Sequence, residues 1–374
     1  MNRKTTLVAC LAAAAMLVPA SPAAADSSPS TPEVLAEGLV SPLRLALGAD
    51  ETVLVTQNFA GTLSRIKDDD DGHGHEPTTD LYTNPGWSVG GVETSGHTTF
   101  FVESLGAGGG DPAALEGYLK SINVRGEVRT VADLATLERT SNPDGFQHYG
   151  FGPDASAECL AQASAIENAP PAQYMGTIDS HPYATAVSGN TVYVADAGAN
   201  SITEVNVATG ALSTLAVLPP RPATITADVA AALGIPGCVG FEYAFEPVPT
   251  DVEIGPDGWL YVSSLPGGPE DPSLGARGAI FRVNPWTGAT RLWAEDILSP
   301  TGLAVADNGD VYVASMFGGE IIKIDAWSGK QSQFLAENTP ADVEISGSTL
   351  YATVDALGDP TAPPAGRVIE ADIR

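Results

Sequence analysis

The chain has 374 residues, 43% of them hydrophobic, and sets 46 acidic side chains against 17 basic ones for a formal net charge of −29. That apolar content over that length supports a sizeable core, while so acidic a surface repels phosphate backbones and anionic membranes, which excludes nucleic acid as a partner. Beyond the N-terminus no stretch approaches the roughly 20 apolar residues needed to cross a bilayer, so no membrane span is expected.

The N-terminus reads Arg3-Lys4, an apolar run from Leu7 to Val18, and Ala23-Ala24-Ala25 before Asp26. This is the pattern of a secretory signal peptide over residues 1–25, cleaved near Ala25, and it predicts a secreted mature chain 26–374. Leu7-Val8-Ala9-Cys10 spells a lipoprotein-like box, but the apolar run continues past Cys10, which argues against lipidation. Removing Arg3 and Lys4 and no acid leaves 15 bases against 46 acids, a net charge of −31. Only Cys159 and Cys238 survive processing, and an even pair in an oxidising compartment predicts a disulfide.

One phrase recurs along the mature chain: an apolar strand behind a proline, a tight turn, then a strand of Val/Leu-Tyr-Val type. Copies run from Pro42 to Gln57, Pro182 to Asp196, Pro249 to Ser264, Pro300 to Ser315 and Pro340 to Val354. A unit recurring about every 40 residues as four short strands is the mark of a propeller blade. The clearest copy places strands at Gly302 to Val305, Val311 to Ser315, Gly319 to Asp325 and Gln331 to Ala336, with hairpin turns at Asn308-Gly309 and Ser328-Gly329. The weakest has only Thr99 to Ser104, Leu119 to Val124 and Val128 to Leu134 as recognisable strands.

The last copy ends after three strands, Asp342 to Ile345, Leu350 to Val354 and Arg367 to Asp372. Val34-Leu35-Ala36-Glu37 matches the outer-strand text Phe334-Leu335-Ala336-Glu337, so the N-terminal segment is expected to supply the fourth. The reading is an all-β, six-bladed propeller of four-stranded antiparallel blades, one domain, its ring closed by the N-terminal strand.

In a propeller the connections between blades, and those between second and third strands, emerge on one face. The long segments 105–116, 135–181, 219–248, 265–277 and 355–365 all have that character, which predicts a built surface there. Cys159 and Cys238 fall in two of these segments. On the other face Lys67 to Thr79 carries Asp68-Asp69-Asp70-Asp71-Gly72-His73-Gly74-His75-Glu76. As a calcium loop with Gly72 sixth it would put Lys67 at the first ligand position, so a solvated acidic loop is expected.

The Pro-x-Gly-Leu, turn, Val-Tyr-Val unit resembles an NHL-type blade. Ser141-Asn142-Pro143-Asp144-Gly145, Ser180-His181-Pro182-Tyr183, Val248-Pro249-Thr250-Asp251-Val252-Glu253, Leu265 to Asp271 and Leu274 to Gly278, together with Arg125 to Leu134, resemble the secreted bacterial ScyD/ScyE-type propellers over essentially the whole mature chain. The resemblance implies an exported six-bladed propeller and brings no catalytic residues with it.

Gluconolactonase-like propellers hold a divalent cation through Asn, Asp or Glu beside the Pro-x-Gly motif. Here that slot holds Leu43, Tyr183, Thr250, Thr301 and Ala341, so lactonase chemistry finds no support. Further in, Asp251 and Glu253, and likewise Asp342 and Glu344, share a strand side where other copies keep Gly or Ala. These four are the candidate metal ligands, with Ca²⁺ the candidate ion and Arg44 a structural partner for Asp342. On the long-loop face the ligand-binding candidates are His181, Tyr183, Asp196, Glu103 and His148, a histidine near carboxylates being the set a general acid or base would use. No Gly-x-Ser-x-Gly elbow, His-Glu-x-x-His helix or phosphate-binding glycine loop occurs. The sequence favours a monomeric binding or scaffold module for an extracellular small molecule or protein over an enzyme. The alternative is a propeller lyase or hydrolase assisted by Ca²⁺.

Overall fold

The computed structural model describes residues 31–48, 52–66, 78–108, 110–167, 169–270, 272–359 and 361–373. The signal-peptide reading of residues 1–25 and most of the acidic loop, residues 67–77, lie outside them. The described residues form seven four-stranded antiparallel sheets, an all-β arrangement consistent with a β-propeller.

Six sheets follow one another along the chain, and in each the first strand lies at one edge. These first strands are Pro42–Leu47, Ser88–Ser95, Pro182–Ser188, Pro249–Ile254, Pro300–Val305 and Asp342–Ser346. Each packs against the next, and the last packs against the first. The sixth sheet takes its outer strand from the N-terminal segment, Glu33–Leu39, which pairs antiparallel with Gly366–Asp372. Glu33–Leu39 thus stands at the outer edge of this sheet, as Gln331–Ala336 does in the fifth, although the matched residues 34–37 and 334–337 are offset by two positions.

Alternation explains the packing. Strand side chains point to opposite faces, so Val and Tyr of one sheet meet Ala, Leu and Val of the next. One apolar cluster joins Ala186, Ala195 and Ile202 of the third sheet to Val252, Leu260 and Phe281 of the fourth. Another joins Leu45 and Val55 of the first sheet to Tyr351 and Val368 of the sixth. Tight hairpins close the strands as the glycine text predicts: Gly309 and Gly329 have φ of 87° and 67°, a region other residues enter at a cost.

Four of the first strands begin with the same strained turn. Ser41, Val248, Ser299 and Thr339, each preceding a proline, adopt φ of 46°, 47°, 46° and 39°. Their carbonyls accept from the N–H groups of Asn58, Leu265, Met316 and Ala356, so each turn clamps the start of a first strand to the end of its neighbour. The hydrogen bond that each carbonyl accepts holds the residue in this costly conformation.

The seventh sheet corrects the expectation of long irregular connections. Segment 135–181 supplies His148–Phe151 and Gln173–Met175, and segment 219–248 supplies Arg221–Thr224 and Glu242–Phe245. The four pair in the order 173–175, 148–151, 242–245, 221–224. Helices α2 (Ala157–Ala163) and α3 (Ala227–Leu233) share its core, while α1 (Leu134–Ser141) packs on the second sheet, and each has a side-chain cap: Ser156, Thr226 and Asp133. This cap has its own apolar core, built around Phe151, Ile225, Val229, Ile235 and Phe245. Within that core Cys159 and Cys238, both fully buried, form the expected disulfide.

Candidate functional site

The first strands converge, and the residues two and four places after each proline face one another there. Arg44, from the first sheet, is 2% exposed and reaches four other sheets. Its Nη1 lies 2.8 Å from Asp342 Oδ1 and 3.4 Å from Asp251 Oδ2, and its Nη2 donates to the carbonyls of Thr301 (2.7 Å) and Thr250. The guanidinium stands 4.8 Å from the centre of the Tyr183 ring. Backbone N–H groups finish the two acids: Leu45 donates to Asp342 Oδ2 at 2.9 Å, Leu303 to Asp251 Oδ2 at 2.6 Å and Val252 to Asp251 Oδ1 at 2.9 Å. Glycine is required at 302, where a Cβ would collide with the Asp342 carboxylate. Burial raises both Asp251 and Asp342 above the ordinary carboxylate range while Arg44 opposes the shift. Burial by itself would lower Arg44, and the two acids more than offset it.

One layer further in, Glu93, Glu253 and Glu344 come together, with carboxylate oxygens within 4.8 Å of one another. They arise from the second, fourth and sixth sheets. Ala46, Ala186 and Ala304 hold the equivalent positions in the first, third and fifth, so large acids alternate with small apolar residues around the centre. The register supports the equivalence, because Glu93, Glu253 and Glu344 face Phe100, Tyr261 and Tyr351, and Ala186 and Ala304 face Tyr193 and Tyr312. The three side chains keep some solvent access though protein surrounds them, as groups lining a narrow passage do.

No lysine or arginine pairs with the three glutamates among the described residues. Burial pushes Glu93 up to about 7, and burial plus mutual repulsion holds Glu253 and Glu344 well above the usual range. Such a set takes up protons or a hard cation that accepts carboxylate oxygens. Of the four metal candidates read from sequence, Asp251 and Asp342 are thus engaged by Arg44, whereas Glu253 and Glu344 point into this cluster.

Glu93 was missed by the sequence reading. The signal was present as Gly91-Val92-Glu93, parallel to Asp251-Val252-Glu253 and Asp342-Val343-Glu344. It was masked because this strand starts at Ser88 without the proline phrase and shifts register between Val89 and Val92.

The loop-face candidates do not form one constellation. Asp196, 4% exposed, accepts from Ser180 Oγ (2.7 Å), His181 N (2.6 Å) and Ala199 N (3.1 Å), and burial still raises it to about 6. Glu103, 2% exposed, is held by Lys120 Nζ (2.7 Å), Tyr82 OH (2.6 Å) and Asn84 Nδ2 (3.0 Å). His181 packs edge-on to Tyr183 with ring centres 5.4 Å apart, and burial lowers its pKa. His148 is exposed on the cap sheet, opposite Met175. Two further buried acids that sequence did not single out, Glu138 and Asp144, are raised by burial to about 8 and about 6.

The cap also holds a cavity, open at one edge, of about 330 Å³ whose walls are almost entirely apolar. It lies between Phe151, Tyr243 and Phe245 of the sheet, α2, α3, and the loop around Pro269.

Sheets in succession around a converging centre define the class of this protein as a β-propeller fold. Among solved structures the chain is similar to the PQQ-bound form of aldose sugar dehydrogenase from Streptomyces coelicolor, with 16% identity over 92% of this chain and 98% of that one and a TM-score of 0.52. It is similar also to a gluconolactonase from Xanthomonas campestris, with 12% identity, 90% and 88% coverage and a TM-score of 0.51. A structural genomics protein of unknown function from Bacteroides thetaiotaomicron gives 13% identity, 91% and 76% coverage and a TM-score of 0.54. At these identities the likeness is one of fold. No protein-family model matches the chain, and no curated protein matches it.

Proposed function

We propose that this is an exported, six-bladed propeller of the ScyD/ScyE type, its ring closed by the N-terminal strand, acting as a monomeric binding or scaffold module with its ligand surface on the long-loop face near the central channel. The observation that carries the reading is the cap: two segments of that face pool their strands into one sheet, share a core and are locked by the Cys159–Cys238 bond. A separate, pre-organised unit of this kind is what a binding surface needs, because its ordering cost is met before the partner arrives. Asp196 and Glu103, each accepting from three donors, fix the segments that carry this face. No helix among the described residues is long and apolar enough to cross a membrane.

The test replaces residues 225–240 by a Gly/Ser linker of equal length and measures capture of an extracellular small-molecule or protein partner alongside the unfolding transition. Capture should disappear while the six-sheet body unfolds as before. Unchanged capture would sink the reading.

The Glu93, Glu253 and Glu344 cluster favours a second reading, a propeller lyase or hydrolase assisted by Ca²⁺. A bound divalent ion at this cluster would polarise a carbonyl or activate water. Millimolar Ca²⁺ should then raise the melting temperature, and Glu253→Gln should remove the effect. The absence of any shift with Ca²⁺, Mg²⁺, Mn²⁺ or Zn²⁺ eliminates the metal-assisted enzyme.

A further inference from the structure

We propose that the cap cavity is a binding site for a compact, uncharged, ring-containing apolar molecule about twice the size of benzene. The proposal deepens the binding-module reading and rests on it. Size comes first: a cavity of roughly 150 Å³ lined by Leu, Ile and Phe admits benzene, and this one measures about 330 Å³. Small-molecule sites fall in this range and are lined mainly by apolar and aromatic side chains.

The walls select for rings. Phe151 meets Tyr243 edge-on at 5.0 Å, and Tyr243 leans on Phe245 at 4.5 Å, so three aromatic side chains form one continuous wall. Ile225, Val229 and Ile235 make the opposite floor, 3–4% exposed, while Leu233 at the rim is 45% exposed. The cavity thus has a buried apolar base and an open edge.

The polar groups nearby are already committed, which excludes a charged ligand. The Tyr243 hydroxyl bonds Tyr174, whose own hydroxyl donates to Glu246 Oε1 at 2.9 Å. Arg277 stacks on Phe245 at 4.4 Å, and its guanidinium donates to the carbonyls of Gly267 (3.0 Å) and Pro269 (2.5 Å). An anion would find no donor and would meet a strongly acidic protein. A cation would have to leave water for an apolar wall.

The site is held ready. The disulfide joins α2 to the turn after α3, and Gly237 N donates across the same seam to Gln162 Oε1 at 2.7 Å. Gly268 allows the neighbouring loop to lie directly on Phe245, where a Cβ would collide with the ring.

The test uses the full chain with its disulfide intact, titrated by calorimetry with 2-naphthol and, separately, with the anionic naphthalene-2-sulfonate. One 2-naphthol should bind per chain and raise the melting temperature, with the sulfonate at least tenfold weaker. Ala163→Phe, which fills the floor, should weaken 2-naphthol at least tenfold. Leu233→Trp, which blocks the rim without disturbing the core, should do the same and serves if the first variant does not fold. The proposal is overturned by absent or non-saturable binding, by equal affinity for the sulfonate, or by affinity unchanged in both variants. Failure of these titrations while the 225–240 replacement still abolishes partner capture rejects the cavity alone. Capture that survives the replacement rejects the binding-face reading, whatever the probe does.

Discussion

Arg44 and Asp342 are 298 positions apart in the chain, yet Nη1 of one lies 2.8 Å from Oδ1 of the other with both side chains almost wholly buried. The contact joins the first and last of the six successive sheets. Asp251 and the carbonyls of Thr250 and Thr301 share the same guanidinium.

Arg44→Ala should therefore leave two buried carboxylates without their counter-charge and destabilise the fold by about 3–5 kcal/mol. The triple variant Arg44→Met, Asp251→Asn, Asp342→Asn should recover most of that loss, because no uncompensated charge remains. Urea denaturation of the three proteins checks both statements. A single variant as stable as the parent would show that the ion pair is not formed.

The inner glutamates predict an unusual dependence on pH. A carboxyl whose folded pKa is raised binds protons more readily in the native state, so its full stability is present below the unfolded value near 4.3 and is lost as pH rises through the folded value, about 7 for Glu93. Without divalent cations the melting temperature should fall by several degrees between pH 5 and pH 8. Glu253→Gln should flatten that fall and raise the melting temperature at pH 8. A slope identical in the variant would place the titration elsewhere.

The disulfide should hold the cap and contribute little to the body. Cys159→Ala with Cys238→Ala should cost about 2–4 kcal/mol of cap stability, since the bond closes a loop of 79 residues. Limited proteolysis should then cut within 155–170 and 225–240 first, leaving the six successive sheets protected. Simultaneous loss of both regions would mean that cap and body unfold as one unit.

Val248 is a β-branched residue at φ 47°. Val248→Asn should raise stability by about 1 kcal/mol, because asparagine enters the left-handed region more readily. Thermal unfolding measures it, and a destabilised variant would mean that packing of the valine outweighs its backbone strain.

Much of the body was legible because its signals are local. Alternation over five or six residues and glycine at the hairpin turns mark strands such as Val311–Ser315 and Gln331–Ala336 to the residue. The cap was not, since α2 and α3 are short and its four strands have only three or four residues each. Ser156 and Thr226 as N-caps, with Gly234 after α3, were the available hints.

The site divides in the same way. By itself the sequence determined the repeating strands, the N-terminal strand that pairs with Gly366–Asp372, the Cys159–Cys238 pair, and the placement of Glu253 and Glu344 on one side of their strands. All of these follow from local periodicity, from matching text or from counting. Only the tertiary structure decided that Arg44 occupies Asp251 and Asp342, that Glu93 joins the other two glutamates, and that segments some 70 residues apart share one sheet around an apolar cavity. Those relations depend on which strands meet across the centre. Contact between distant segments is set by the packing of whole sheets, and that leaves no periodic trace in either segment.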